Sequence, residues 1–486
     1  MGQKHLGAPL GTPAFINAYV KEKVTGWCTQ LETLAKIAIS HPHEAYAAYT
    51  HGLCGCWSYF IRTVPDVAPL FHPLENIITT KFIPALTGLA APGKLVRDLL
   101  GLPARLGGLG LVDPTTLTNE YNFSVEVTAP LVAMFATAQS TQSAQSCAEK
   151  QRGIKTKLQS AKRAAQREAA QELYNNLPPD LQRCMTIAQE RGASNWLTVL
   201  PLAKHGFDLH KGAFCDALRI RYGWNLDRTP SHCVCGAPFS IDHAMTCASG
   251  GYPTLRHNEV RDLTANILRQ VVSDVEVEPR FQPLSGEVLP RSANVEDDAR
   301  ADIRAQGFWG CDRQAAFFDV RVFHPNAASY RSVLIDNLYK RHEEMKKREY
   351  GPRVHEIEHG CFSPLVFTTS GGMGREATMV YKRLADRLSA LRDSSYAQTM
   401  GWLRCRLSFA LLRSALLCIR GSRTLRARAD VADSIELTTA LTRMIDLQHI
   451  LIALLAYIFL FSVLVFHLGH YNYYNNYYNN NYDYNT

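Results

Sequence analysis

Four residues of metal-binding type crowd one short stretch of this chain. In HCVCGAPFSIDHAMTC, Cys233, Cys235, His243 and Cys247 follow the pattern Cys-x-Cys-x7-His-x3-Cys. A segment so short cannot bury a core of its own, so its ligands have to order it. Thiolate and imidazole groups fill a tetrahedron around zinc, and the ion supplies the folding energy that burial cannot. Gly236, just after the second cysteine, permits the turn that such a knuckle needs. The spacing therefore predicts a structural zinc site, with His232 a neighbouring alternative ligand and His257 a more distant one. Buried cysteines beside a surface histidine are the weaker reading of an intracellular Cys/His cluster.

The compartment follows from the cysteines as a set. All thirteen in the 486-residue chain lack even spacing, and Met1 to Ser40 carries no charged-then-apolar leader. Both features point to a reducing, intracellular setting rather than a disulfide framework. A net charge of +8 is compatible with phosphate partners without requiring them. Ile450 to Phe466 forms an apolar run at the lower limit of what crosses a bilayer, so a membrane-anchored protein is one expectation. The Tyr/Asn tract that follows is low-complexity sequence with no means of forming a core.

The order of segments is uneven in character. Residues 1–135 read as helices punctuated by Gly and Pro, with the paired glycines of LPARLGGLGLVDP implying tight turns. Residues 136–230 read as a basic helical connector in which Lys150, Arg152, Lys155, Lys157, Lys162, Arg163 and Arg167 crowd a background of Ala, Gln and Ser. Such a run is a solvated helix or linker, or in a second reading a phosphate-contacting one. The knuckle occupies 231–250, mixed helix and strand patterns fill 251–395, amphipathic helix returns over 396–446, and 447–486 holds the apolar run and the tail.

Acidic residues follow the knuckle. Val260, Leu263, Ile267 and Val271 recur at helical spacing and predict one buried face, with Glu259 near its border. VEVEP reads as a strand, and RADI places Asp302 on another. In AAFFDVRVFHP, Phe318, Val320 and Val322 alternate with Asp319 and Arg321, so a half-buried strand puts the carboxylate and the guanidinium on one face. Taken singly, each carboxylate reads as a surface group. Converging, Glu259, Asp302 and Asp319 would offer the hard oxygen ligands that hold Mg²⁺, which activates water and stabilises charge on a phosphodiester.

The succession CVCG…H…C, GG…RHNEV, RADI, FFDVRV and a Lys/Arg-rich helix ending at Tyr350 resembles the C-terminal region of non-LTR retrotransposon proteins. That region carries a restriction-enzyme-like endonuclease of the PD-(D/E)xK superfamily. The likeness covers 196 to about 420, and HGLCGCWSYFIRTVPDVAPLFHPLENII and LPARLGGLGL extend it to residue 45, as the segment that trails the reverse transcriptase. The resemblance implies an α+β fold: a helical N-terminal region, a small zinc knuckle, and an αβββαβ core followed by helices. It implies a nuclear enzyme that nicks a DNA target to prime reverse transcription, with element RNA as a further partner and no small-molecule cofactor. Zn²⁺ would be structural at Cys233, Cys235, His243 and Cys247, and Mg²⁺ catalytic at Glu259, Asp302 and Asp319.

Three departures from the family pattern stand out. Ala301 replaces the usual proline, Arg321 replaces the usual lysine, and the knuckle has three residues between His243 and Cys247 where four are usual. Arginine keeps the charge but cannot shuttle a proton at neutral pH. The lysine's role passes in expectation to the next helix, where Lys340, Glu343 or Glu344, and Lys347 recur on one face, with Lys346 beside them. Arg256 and His257, at the start of the first helix, are placed to hold a DNA phosphate. No polymerase Tyr-x-Asp-Asp motif occurs. The rival expectation is a nucleic-acid-binding relic whose nuclease is dead.

Overall fold

The computed structural model describes residues 1–136, 141–310 and 314–421, which form two compact units. One comprises residues 1–185 and 208–218, the other residues 186–207 and 219–421 of those described. The expected connector, 136–230, is thus divided between them. The apolar run 450–466 and its tail lie outside the described residues. Among the described residues, no helix is long and apolar enough to cross a membrane.

The first unit is helical, apart from a hairpin of Gly2–His5 and Ala8–Gly11 that the helical expectation for 1–135 passed over. Its turn places Leu6 at φ 47° and Gly7 at φ 87°, the left-handed pair that suits strand twist. Thr12 then caps the helix Pro13–Ala38, with Pro13 at the first turn where its missing N–H costs nothing. Val20, Val24, Trp27, Leu31, Ala35 and Ala38 form its buried stripe. The glycine-rich stretch is tight as expected: a Cβ on Gly108 would lie 1.9 Å from Leu102 O. The basic run falls on the helix Thr141–Asn176, where Lys150, Arg152, Lys157 and Arg167 are exposed and Lys162 pairs with Glu120.

The second unit is mixed helix and sheet, which makes the chain α+β. Its elements run α1 (Ile241–Thr246), α2 (Tyr252–Leu268), β1 (Val275–Val277), β2 (Ile303–Gln306), β3 (Ala315–Phe323), α3 (Ile335–Glu356), β4 (Cys361–Thr368), α4 (Arg375–Arg392) and α5 (Tyr396–Arg420). The sheet order is β1-β2-β3-β4; the first two pairings are antiparallel and β3–β4 is parallel. As a parallel pair needs a crossover, α3 supplies it.

Strand β3 is not half-buried as the alternation predicted. It lies between two strands and under cover on both faces, with Arg321 its one exposed residue. Phe318, Val320 and Val322 pack with Val260, Ile267, Leu384 and Leu407 of α2, α4 and α5. On the other face Phe317 meets Phe281 and Val354, while Phe323 meets Leu338, Tyr339 and Val366. A fully buried side chain of this size contributes roughly 1.5–3 kcal/mol, so β3 is anchored at every rung but the polar ones. The long connection between β1 and β2 is pinned by Arg353 of α3, wholly buried, whose guanidinium donates to Asn294 O, Glu296 O and Gln282 O.

Candidate functional site

The knuckle is built by local hydrogen bonds. Cys233 N donates to Ala237 O at 2.8 Å and Gly236 N to Cys233 O at 2.9 Å, with Gly236 at φ 87°. Ser240 caps α1 by accepting from His243 N at 3.1 Å, and Cys247 N closes its end on His243 O at 2.8 Å. His243 and Cys247 are thereby one helical turn apart and face the loop that bears Cys233 and Cys235. The four ligand atoms all lie within 4.8 Å of one another. Cys233 and Cys247 sulfurs are 3.8 Å apart, and Cys235 Sγ is 3.2 Å from His243 Nε2. Sulfurs at about 2.3 Å from a tetrahedral zinc stand about 3.8 Å apart, so the set can hold a metal ion such as zinc.

The alternative ligands are occupied elsewhere: His232 bonds Ser231 Oγ at 3.1 Å, and His257 faces Asp302. Burial opposes ionisation of Cys233, but hydrogen bonds from the Cys235 backbone, His243 and the neighbouring thiols outweigh it and pull its pKa down to about 6. At Cys235 a backbone bond to Ala237 favours the thiolate, while Cys233 and Cys247 oppose it and hold its pKa up. The cluster thus gives up its first proton easily, as a metal site needs.

A second polar site forms where β2 and β3 meet α2 and α3. Asp302 lies just ahead of β2 rather than on it, its N–H donating to Phe318 O at 3.1 Å. Its Oδ2 accepts from Val320 N at 2.5 Å and its Oδ1 bonds His257 Nε2 at 2.9 Å. Ala301 uses its N–H on Pro279 O at 3.3 Å, a bond that a proline at this position could not make. Asp319, 5% exposed, points from β3 toward α3, where Lys346 Nζ stands 3.2 Å from Oδ2 and 3.4 Å from Oδ1. The approach to Oδ2 is ionic only, for that buried oxygen has no hydrogen-bond partner.

Burial pushes the Asp319 carboxyl up to about 7; Lys346 pulls it down, and Asp302 adds to the rise. Burial works against charge on His257 too, but the hydrogen bond and field of Asp302, with Asp319 behind it, hold its pKa above the ordinary value. The two carboxylates therefore feel one another. Two acids and two bases in contact form an electrostatic unit.

Not every expected residue joins it. Glu259 is exposed, and its side chain has no hydrogen-bond or ion-pair partner among the described residues. The reason is helical geometry: two positions correspond to about 200° of rotation, so His257 and Glu259 cannot both face Asp302. Arg256 is not free for phosphate either. It is 4% exposed and turned inward, donating to Met245 O at 3.1 Å and Cys418 Sγ at 3.7 Å. Of the two lysines, Lys346 meets Asp319, while Lys347, rotated by one residue, pairs with Glu376 at 2.5 Å. Glu343 is buried and accepts from Glu376 N at 3.0 Å, capping α4, and Lys340 is exposed. Arg321 shares the Asp319 face of β3 but reaches solvent.

Sequence reasoning missed Asp242, His324 and Thr369, which join α1 to the ends of β3 and β4. The one available signal was the His-Pro that stops β3. No family model and no curated protein matches the chain.

Proposed function

We propose that the chain is a divalent-metal-dependent DNA endonuclease of the restriction-enzyme-like kind, from the C-terminal region of a non-LTR retrotransposon protein. The observation that carries it is Asp319: a carboxylate kept buried beside a second one, with an oxygen that no hydrogen bond satisfies. Burying such a group is costly unless cations offset it; Lys346 offsets it in part at 3.2 Å, and Asp302 beside it adds negative charge that a divalent ion would balance. The helix–strand–strand–strand–helix–strand order of α2 to β4, with Asp302 just ahead of β2 and Asp319 on β3, agrees with this reading.

The donor set fits Mg²⁺, since Asp302 and Asp319 offer hard oxygens. When bound, such an ion lowers the pKa of water and offsets charge on the phosphodiester. His257 orients Asp302 through its Nε2 contact with Oδ1 at 2.9 Å. Lys346 takes the place of the superfamily's lysine: it is held 3.2 Å from Asp319 and supplies a positive charge where the pentacoordinate phosphorus needs one. Arg321 adds a further cation on the same strand face. In the knuckle, zinc is the metal the three sulfurs and one nitrogen select, and its role is structural.

Supercoiled plasmid incubated with the full chain and Mg²⁺ or Mn²⁺ tests the reading. Open circles are expected with wild type and not with Asp302→Asn or Asp319→Asn, both of which should still bind the plasmid. Binding without nicking by wild type under either metal would leave only the nucleic-acid-binding relic.

A further inference from the structure

The knuckle and the carboxylate site are separate metal-ligand sets, yet α1 touches both. Asp242 is the neighbour of His243 on α1. Its Oδ1 bonds His324 Nε2 at 2.8 Å, and its Oδ2 pairs with Arg331. His324 is the residue immediately after β3, and its Nδ1 lies 2.9 Å from Thr369 Oγ1, immediately after β4. Thr369 N closes the ring on Phe323 O at 2.9 Å. His324 is 7% exposed, so both nitrogens of a buried imidazole are committed to fastening two parallel strands to α1. From His324 back to Asp319 the chain is the C-terminal half of β3, paired rung by rung with β4, while β2 pairs with the half before Asp319.

A second tether starts from the same helix. Met245 O accepts from Arg256 Nη1 at 3.1 Å, and Arg256 is next in sequence to His257, which holds Asp302. One short helix is thus bonded to the strand of one carboxylate and to the helix that orients the other. Six residues do not make a stable helix by themselves. What fixes α1 is its packing and the cluster that contains His243 and Cys247.

We infer that Asp242 and His324 are positioning residues, which transmit the order of the metal-filled knuckle to the strand that carries Asp319. The inference rests on the nuclease reading only for its consequence in activity; the mechanical tie is independent of it. A chain stripped of the knuckle metal loosens at the C-terminal end of β3 and holds its carboxylate site less firmly.

Hydrogen–deuterium exchange on the full chain, with zinc bound and after chelation, reads this directly. Removing zinc from wild type is expected to speed exchange across 315–331 about tenfold, well outside the knuckle. Asp242→Ala and His324→Gln, each with zinc content verified as one per chain, should show the same loosening at 319–324, and Asp242→Asn, which keeps an acceptor for His324, should restore much of the protection. A merely structural role would not give a zinc-independent match between the stripped wild type and the zinc-loaded variants. Exchange across 315–331 that is indifferent to zinc, or wild-type protection in zinc-loaded Asp242→Ala, would overturn the inference; the latter variant alters a partly exposed side chain and serves if His324→Gln does not fold. Coupling seen in a chain that never nicks plasmid leaves the tie standing and removes the nuclease reading, while nicking without coupling does the reverse.

Discussion

The knuckle draws its ligands from consecutive residues 233–247, with a glycine turn and a capped helix setting their positions. The carboxylate site takes His257 from a helix, Asp302 from a strand's approach, Asp319 from a central strand and Lys346 from a crossover helix. One site needs only local chain geometry; the other exists only when the sheet is formed. Metal should accordingly matter to them in opposite ways. On the proposed reading it would contribute to folding at the knuckle, whereas at the carboxylates it would enter a site that the fold has already made.

The largest effect should come from the knuckle. Cys247→Ala is expected to take the zinc content from one per chain to none by elemental analysis, and to lower the thermal midpoint of the second unit, because a structural zinc supplies on the order of 10 kcal/mol. Retained stoichiometric zinc would break the assignment of the cluster.

Next in size is Lys346→Gln, which should lower the nicking rate on the order of 10²-fold, as losing one transition-state charge contact does. Lys347→Gln should stay within about threefold of wild type, since its ammonium is spent on Glu376 and exposed pairs count for little. Equal losses from both lysines would erase the distinction drawn between neighbouring helix positions.

A smaller effect separates the sites by pH. The Asp319 carboxyl has a folded pKa of about 7, above its unfolded value of roughly 4. Below the unfolded value both states are protonated and nothing is lost; as pH rises through the folded value the buried charge costs stability. Without divalent cation, the wild-type melting temperature should therefore fall between pH 4 and 7, and Asp319→Asn should flatten that fall. A cation competes with this proton, so metal-dependent nicking should rise through about pH 7. The smallest effects belong to Glu259→Gln and Arg321→Lys: the first is expected to leave nicking unchanged, and the second to preserve or modestly raise it.

How much was legible in the sequence follows the same division. Cys233, Cys235, His243 and Cys247 could be read from spacing because a turn and one helical turn bring them together without long-range help. The helix around Val260 and the strand around Phe318 could be read from periodicity, and the helix that bears Lys346 from the resemblance; that this helix is the crossover between two parallel strands was not read. The rotation of α2 about its own axis could not: it decides whether position 257 or 259 meets Asp302, and it is set by the packing of Val260, Leu263 and Ile267 beneath β3. Arg256 likewise reads as a phosphate ligand until Met245 and Cys418 are in place to receive it. The sandwiching of β3 depends on partners far away in sequence, which is why alternation alone implied a half-exposed strand.

The central claim is that Asp302 and Asp319 together hold one divalent cation, and Mn²⁺ binding followed by electron paramagnetic resonance on the zinc-loaded full chain tests it most directly. One bound Mn²⁺ per chain is expected for wild type at pH 8, lost in both Asp302→Asn and Asp319→Asn and kept in Glu259→Gln; wild-type binding in either aspartate variant would contradict it.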